Sequence, residues 1–344
     1  MAAKVLVVGC GGIGGAITAH LAQAGVDVVA VSRNGAVVDA VARRGLRLTG
    51  GFGERAVPAR VVPEAPAGPF DWVLLTTQPT DVEAAAAAHA HRLSPTGRMV
   101  CFQNGLCEAR VAEVLGDPAH VVGAVVSWGA HMPEPGQVDK TSRKGGFVLG
   151  RLDGQPDDPA LDSLAGWLSA IGPVKRTANL PGVRWSKLAL NCVVSSLGTL
   201  NGSTLGPVIR QGQARRLAFA IMGEAVAVAQ AEGVALEKVA GTLDLPWMVR
   251  SAAPPGRALR HGVLAAAGLK YRRMKSSMLR AIEAGRPPAV DHLNGEVVRY
   301  GARHGAATPA NAAVTRAVWA LARGEARPGP AIIDQVWGEV RRGG

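Results

Sequence analysis

Gly9-Cys10-Gly11-Gly12-Ile13-Gly14 follows directly on the apolar run Lys4–Val8 and opens a helical pattern over Ile13–Ala24. A GxGxxG match alone means little in a chain with 44 glycines. Between a strand and a helix it constrains the fold. The chain can turn at Gly9, bring its backbone against a pyrophosphate at Gly11, and pack helix on strand at Gly14. The helix start then offers unpaired N–H groups and a partial positive charge to that anion. Gly9, Cys10, Gly11, Gly12, Ile13 and Gly14 are therefore candidate cofactor-binding positions.

The rest of the first half continues the same alternation. Asp27–Val31, Trp72–Thr76, Met99–Phe102 and Val121–Ser127 read as strands, with helical patterns over Val37–Arg44 and Asp81–Leu93. Near-continuous apolar strands separated by helices predict a parallel sheet covered on both faces. From His131 to Leu152 the pattern changes to Pro/Gly turns around Phe147-Val148-Leu149, which predicts one or two antiparallel strands at the sheet edge. Asp158–Ile171 reads as a helix and Val174–Ala178 as a last strand; beyond Asn179 the pattern is helical to Ala322. The expected architecture is α/β: an N-terminal Rossmann-type doubly wound sheet over residues 1–178 that binds a dinucleotide, and a C-terminal all-helical domain over 179–344. The Gly/Arg/Pro-rich tail after Arg323 is expected to be partly mobile.

Composition narrows the function. The stretch Leu217 to Ala231 is interrupted by Glu224 and Gln230, short of the ~20 apolar residues a membrane span needs. No secretory signal layout precedes the first strand, so a cytoplasmic protein is expected. Cys10, Cys101, Cys107 and Cys192 have no CxxC or Cys/His spacing, which predicts reduced thiols and no metal site. The net charge of +12 is spread along the chain and aromatic residues make up 4%, unlike the concentrated charge and stacking residues of nucleic-acid modules. A small-molecule substrate, with room for a second copy as a homodimer, is the expected partner, with neither nucleic acid nor membrane.

An NAD site carries an acid at the end of its second strand, about 20 residues after the loop. Here Asp27–Val31 runs into Ser32-Arg33-Asn34. Arg33 can hold a 2′-phosphate through its fork of donors, and Ser32 can add a hydroxyl, so NADP is the expected cofactor. In the second half, Lys187, Asn191 and Ser195 fall at i, i+4 and i+8 of an otherwise apolar segment and share one helix face. Such a row fits a solvated amphipathic helix or a cleft with a polar ligand. A lysine in a cleft can stabilise charge growing on a carbonyl oxygen and deliver a proton to it.

Taken together, the glycine loop, Gln103-Asn104-Gly105, Trp185 to Asn191, Ser276-Ser277-Met278-Leu279 and Asp291-His292-Leu293-Asn294-Gly295 resemble the ketopantoate reductase (2-dehydropantoate 2-reductase) family across nearly the whole chain. The resemblance implies NADPH-dependent reduction of a 2-oxo acid, with Lys187 as general acid and Asn104 where nicotinamide meets substrate. It implies that Asn191, Ser195 and Ser277 hold substrate, that Thr77 and Gln78 lie on the cofactor side, and that the pathway is pantothenate biosynthesis. Three positions depart from the family pattern: Gln78 replaces a lysine, Ser195 an asparagine, and Ala289 an acid. They keep open a less polar ketone or 2-oxo acid as substrate. A non-catalytic NADPH-binding sensor is a further alternative.

Overall fold

The computed structural model describes residues 3–142, 144–155, 158–239, 241–250, 254–270 and 275–343. The strands are β1 (Lys4–Val8), β2 (Asp27–Val31), β3 (Leu46–Gly50), β4 (Arg55–Val57), β5 (Val61–Val62), β6 (Phe70–Leu75), β7 (Leu93–Cys101), β8 (Val121–Val126), β9 (Ala130–His131), β10 (Gln137–Lys140), β11 (Phe147–Arg151) and β12 (Val174–Arg176). Helices of the first half are α1 (Gly12–Gln23), α2 (Gly35–Arg44), α3 (Val82–His89), α4 (Cys107–Leu115) and α5 (Ala160–Ser169). Those of the second are α6 (Leu180–Asn201), α7 (Leu205–Arg210), α8 (Gly212–Ala231), α9 (Leu245–Val249), α10 (Pro254–Lys270), α11 (Ser277–Glu283), α12 (Asn294–Arg303), α13 (Pro309–Ala322) and α14 (Pro330–Gly343). By their contacts they form two compact units. One is Met1–Gln103 with Cys107–Leu180; the other is Asn104–Leu106 with Pro181–Gly344.

The main sheet has the order β12-β11-β8-β7-β6-β1-β2-β5. Its six strands β5-β2-β1-β6-β7-β8 run parallel, and in chain order they are third, second, first, fourth, fifth and sixth, the dinucleotide-binding arrangement. β11 pairs antiparallel with β8 and carries β12 beside it, as the turn-rich stretch before it predicts. Alternation along β1 shows why the sheet is covered twice. Val5 and Val7 pack on one face with Ala16 and Ile17 of α1 and Leu161 and Leu164 of α5. Leu6 and Val8 pack on the other with Val82 and Ala86 of α3 and Val111 of α4. The strand order reverses between β1 and β6, and the carboxyl ends there form the crevice in which such sheets take their ligand.

A second sheet, β4-β3-β10-β9, is absent from the sequence expectation. Its pairing brings Leu46–Gly50 parallel to Gln137–Lys140, about 90 residues away. It covers the outer side of α1, whose residues Gly14 to Leu21 are all buried, as a helix with two packed sides must be. Lys140 ties this sheet to α5. Its ammonium donates to the Ile171 carbonyl at 2.9 Å, just beyond the carbonyl-rich end of that helix, and burial holds its pKa below the ordinary lysine value.

In the helical unit one core joins α6, α8, α12, α13 and α14. A buried polar chain crosses it. Ser196 on α6 donates to Asn294 on α12, which donates to Asn311 on α13 at 2.9 Å, and Asn311 donates to Glu224 on α8 at 2.7 Å. Contrary to expectation, the tail after Arg323 forms a packed helix: α14 buries Ile332, Ile333 and Val336. Among the described residues no helix is long and apolar enough to cross a membrane.

Candidate functional site

The glycine loop leaves β1 at the switch point. Gly9 takes the left-handed turn at φ +99°, and its N–H donates to Val31 of β2. A side chain at Gly14 would lie 1.9 Å from the Gly9 carbonyl oxygen and 2.3 Å from Thr76 Oγ1, so only hydrogen fits where α1 meets β1. At Gly12 a Cβ would strike the Ala130 carbonyl oxygen at 2.5 Å, because β9 of the second sheet presses on the start of α1. At exposed Gly11 a Cβ would meet nothing within 4 Å. The loop is therefore closed on its protein sides and open at Gly11. With no acid in the first turn of α1, the N–H groups there face an uncompensated opening, which fits a dinucleotide pyrophosphate.

Cys10 is buried and its thiol is pushed up to about 12, so it serves the loop as a small apolar residue and not as a nucleophile. Ile13 is half-buried beside it. Two residues outside the predicted set hold the crevice in shape. Thr76, at the end of β6, donates to the carbonyl oxygen of Gly9 at 2.6 Å. Buried Gln103 donates through Nε2 to the carbonyls of Leu75 and Thr77, at 2.9 and 3.3 Å. The signal for both was available in Thr76-Thr77-Gln78 and Gln103-Asn104-Gly105, where each polar residue ends an apolar strand. Thr77 is half-buried and Gln78 exposed in the turn after β6.

Ser32 and Arg33 extend from β2. Ser32 is buried, and its hydroxyl oxygen accepts the Asn34 N–H at 3.3 Å, so it shapes the turn into α2. Arg33 is exposed and donates to Asp81 at 2.9 Å. Asn104 is exposed, and with Gly105 and Leu106 it belongs to the helical unit, whereas Gln103 belongs to the other. A Cβ at Gly105 would lie 2.5 Å from the His292 carbonyl oxygen, and Leu106 is buried with Trp185 and Leu188.

The row predicted on α6 is half-buried at Lys187, Asn191 and Ser195, among Trp185, Leu188, Ala189, Cys192 and Val193, all buried. The Nδ2 of Asn191 is buried with no hydrogen-bond partner among the described residues. An orphaned amide donor carries a free-energy cost that a ligand acceptor would remove. The serine pair divides its work. Ser276 is buried, caps α11 by accepting the N–H of Met278 and Leu279, and accepts from Thr199 at 3.0 Å, whereas Ser277 is exposed. Ala289 stands half-buried in a short 3-10 turn, Ala289–His292, where it brings no charge. Asp291 accepts from Trp319 Nε1 at 3.0 Å, and Asn294 belongs to the core chain described above.

Known proteins share this organisation. The family model described as ketopantoate reductase PanE/ApbA matches residues 5–154, and that for the PanE/ApbA C-terminal part matches 179–322. A 2-dehydropantoate 2-reductase of Caulobacter vibrioides is 31% identical over 322 residues, covering 90% of this chain and 96% of its own. The crystal structure of a PanE/ApbA family ketopantoate reductase from Ralstonia eutropha JMP134 superposes with a TM-score of 0.78 at 27% identity, over 94% and 99% of the two chains. D-mandelate dehydrogenase, solved with NADH and anilino(oxo)acetate, also gives 0.78, over 93% and 99%; at 22% identity it shares the fold. Both halves of the sequence match in order, and the chain belongs to the ketopantoate reductase family of oxidoreductases.

Proposed function

We propose that the protein is an NADPH-dependent reductase of a small 2-oxo acid, with ketopantoate, reduced to pantoate in pantothenate biosynthesis, as the first substrate. The observation that carries the reading is on α6. One turn from Lys187, the buried Asn191 amide has no protein acceptor among the described residues, as expected of a donor kept for substrate. In this reading the α/β unit holds the dinucleotide, and the helical unit supplies the substrate and proton-transfer groups. Gly9 to Gly14 take the pyrophosphate, Ser32 and Arg33 face the adenosine 2′-phosphate, and Thr77, Gln78 and Asn104 line the remaining cofactor edge. Bound NADPH supplies the hydride.

The chain's own residues supply the rest. Asn191 Nδ2 donates to the substrate and, with Ser195 and Ser277, fixes its orientation, while Asn104 positions the carbonyl. The Lys187 ammonium stabilises the negative charge that develops on the carbonyl oxygen and gives it a proton. Apolar neighbours around α6 reduce competition from water, which strengthens that interaction. The test is NADPH oxidation over a panel of 2-oxo acids and simple ketones. Turnover highest with ketopantoate supports the reading. Turnover restricted to unfunctionalised ketones, or none with any carbonyl, overturns it.

A further inference from the structure

An ion pair between Arg33 and Asp81 falls beside the cofactor crevice. Arg33 follows β2 and Asp81 follows β6, the two strands that flank β1. Their 2.9 Å contact therefore spans the carboxyl end of β1, where the glycine loop begins. Asp81 is not held there by the usual work of an aspartate in its position. It stands at the N-cap of α3, where an Asp carboxylate ordinarily accepts the helix's own N–H groups, yet its side chain makes no cap bond. The carboxylate turns instead to the guanidinium. Arg33 remains 85% exposed and Asp81 41% exposed, so packing fixes neither, and each can exchange partners.

We propose that Asp81 sets the cofactor preference by competing with the 2′-phosphate of NADPH for Arg33; the proposal rests on the NADPH reading above. Only one guanidinium nitrogen is committed to Asp81, and an arginine has five N–H donors. The phosphate can thus either displace the carboxylate or share the fork with it. Sharing places a carboxylate next to a phosphate of nearly two negative charges. Displacement leaves Asp81 unpaired. Both outcomes weaken NADPH and neither weakens NADH, which lacks the phosphate. The opposing effect of Asp81 is to hold Arg33 in place. For a side chain this exposed, its orientation toward a carboxylate gives little organisation toward a phosphate, and repulsion between the two anions dominates.

The experiment is fluorescence titration of NADPH and NADH into the wild-type protein, Asp81→Asn, Arg33→Ala and the double variant. Asp81→Asn keeps the size and removes the charge. Its ratio of Kd for NADH to Kd for NADPH should rise about three- to tenfold over wild type, the range for removing one exposed like charge from a dianion. In the Arg33→Ala background the same substitution should have a smaller effect. An unchanged or lower ratio in Asp81→Asn, while Arg33→Ala weakens NADPH, overturns the proposal and leaves the NADPH reading intact. If Arg33→Ala leaves NADPH affinity unaltered, the assignment of the 2′-phosphate to Arg33 fails first.

Discussion

Lys187 lies between Trp185 and Leu188, both almost fully buried, and the proposed role gives it one task, proton delivery as the carbonyl oxygen becomes charged. Truncation to alanine should therefore lower kcat and kcat/KM together, by about 10²–10⁴-fold for a general acid. The Kd for NADPH, read by fluorescence, should move less than twofold. A near-normal kcat in a folded, NADPH-binding variant would make the lysine structural. Asn191 has a different signature. Because its Nδ2 is buried without an acceptor among the described residues, Asn191→Leu should stabilise the ligand-free protein by about 1 kcal/mol in urea unfolding, while raising KM severalfold. Loss of stability would show that the amide has a structural partner. The row was legible because its three polar residues recur every four positions in an apolar segment. The orphaned amide was not, because the absence of a partner is a property of the folded surroundings.

At the scale of elements, legibility followed the range of the interactions. The β1–loop–α1 unit is local, and its own apolar run and glycines announce it, although Thr76 and β9 complete its walls. The second sheet depends on β10 finding β3, and the residues that drive this pairing are too short a run to announce a strand. The uncharged α1, with Gly14 to Leu21 all buried, was the one hint that something covers its outer side. The tail misled because its Gly/Arg/Pro content hides the apolar face of α14, Ile332, Ile333 and Val336. The link between α8 and α13 was equally invisible. Glu224 accepts the N–H groups of Ala310 and Asn311, at 2.7 and 2.9 Å, and Asn311 Nδ2. Burial raises its pKa and the accepted bonds oppose that shift, with burial the larger. A raised folded-state value means the folded protein binds the extra proton. Stability is greatest below the ordinary glutamate value of 4.5 and falls as pH rises through the folded-state one. Glu224→Gln should remove that slope. It should also cost about 1–3 kcal/mol at neutral pH, since a single amide oxygen cannot serve all three donors. Urea unfolding of both proteins at pH values stepped upward from about 4, where an ordinary glutamate titrates, checks slope and cost together.

The whole chain carries a net charge of +12, and this field attracts any dinucleotide, whether or not it bears a 2′-phosphate. That general attraction is separable from the specific contact by salt. Raising ionic strength from about 0.05 to 0.5 M shortens the Debye length from roughly 14 to 4 Å, which weakens NADPH and NADH alike through the overall field. The contact with Arg33 is also screened, because the side chain is 85% exposed and faces water on most sides. NADPH should thus lose affinity faster than NADH, and its advantage should shrink severalfold over that range. In Arg33→Ala the two cofactors should decline more nearly in parallel, the residual difference coming from the field acting on two extra charges. If the advantage of NADPH in the wild type is independent of salt, the phosphate is held by buried groups, and Arg33 is a solvated loop charge paired with Asp81 alone.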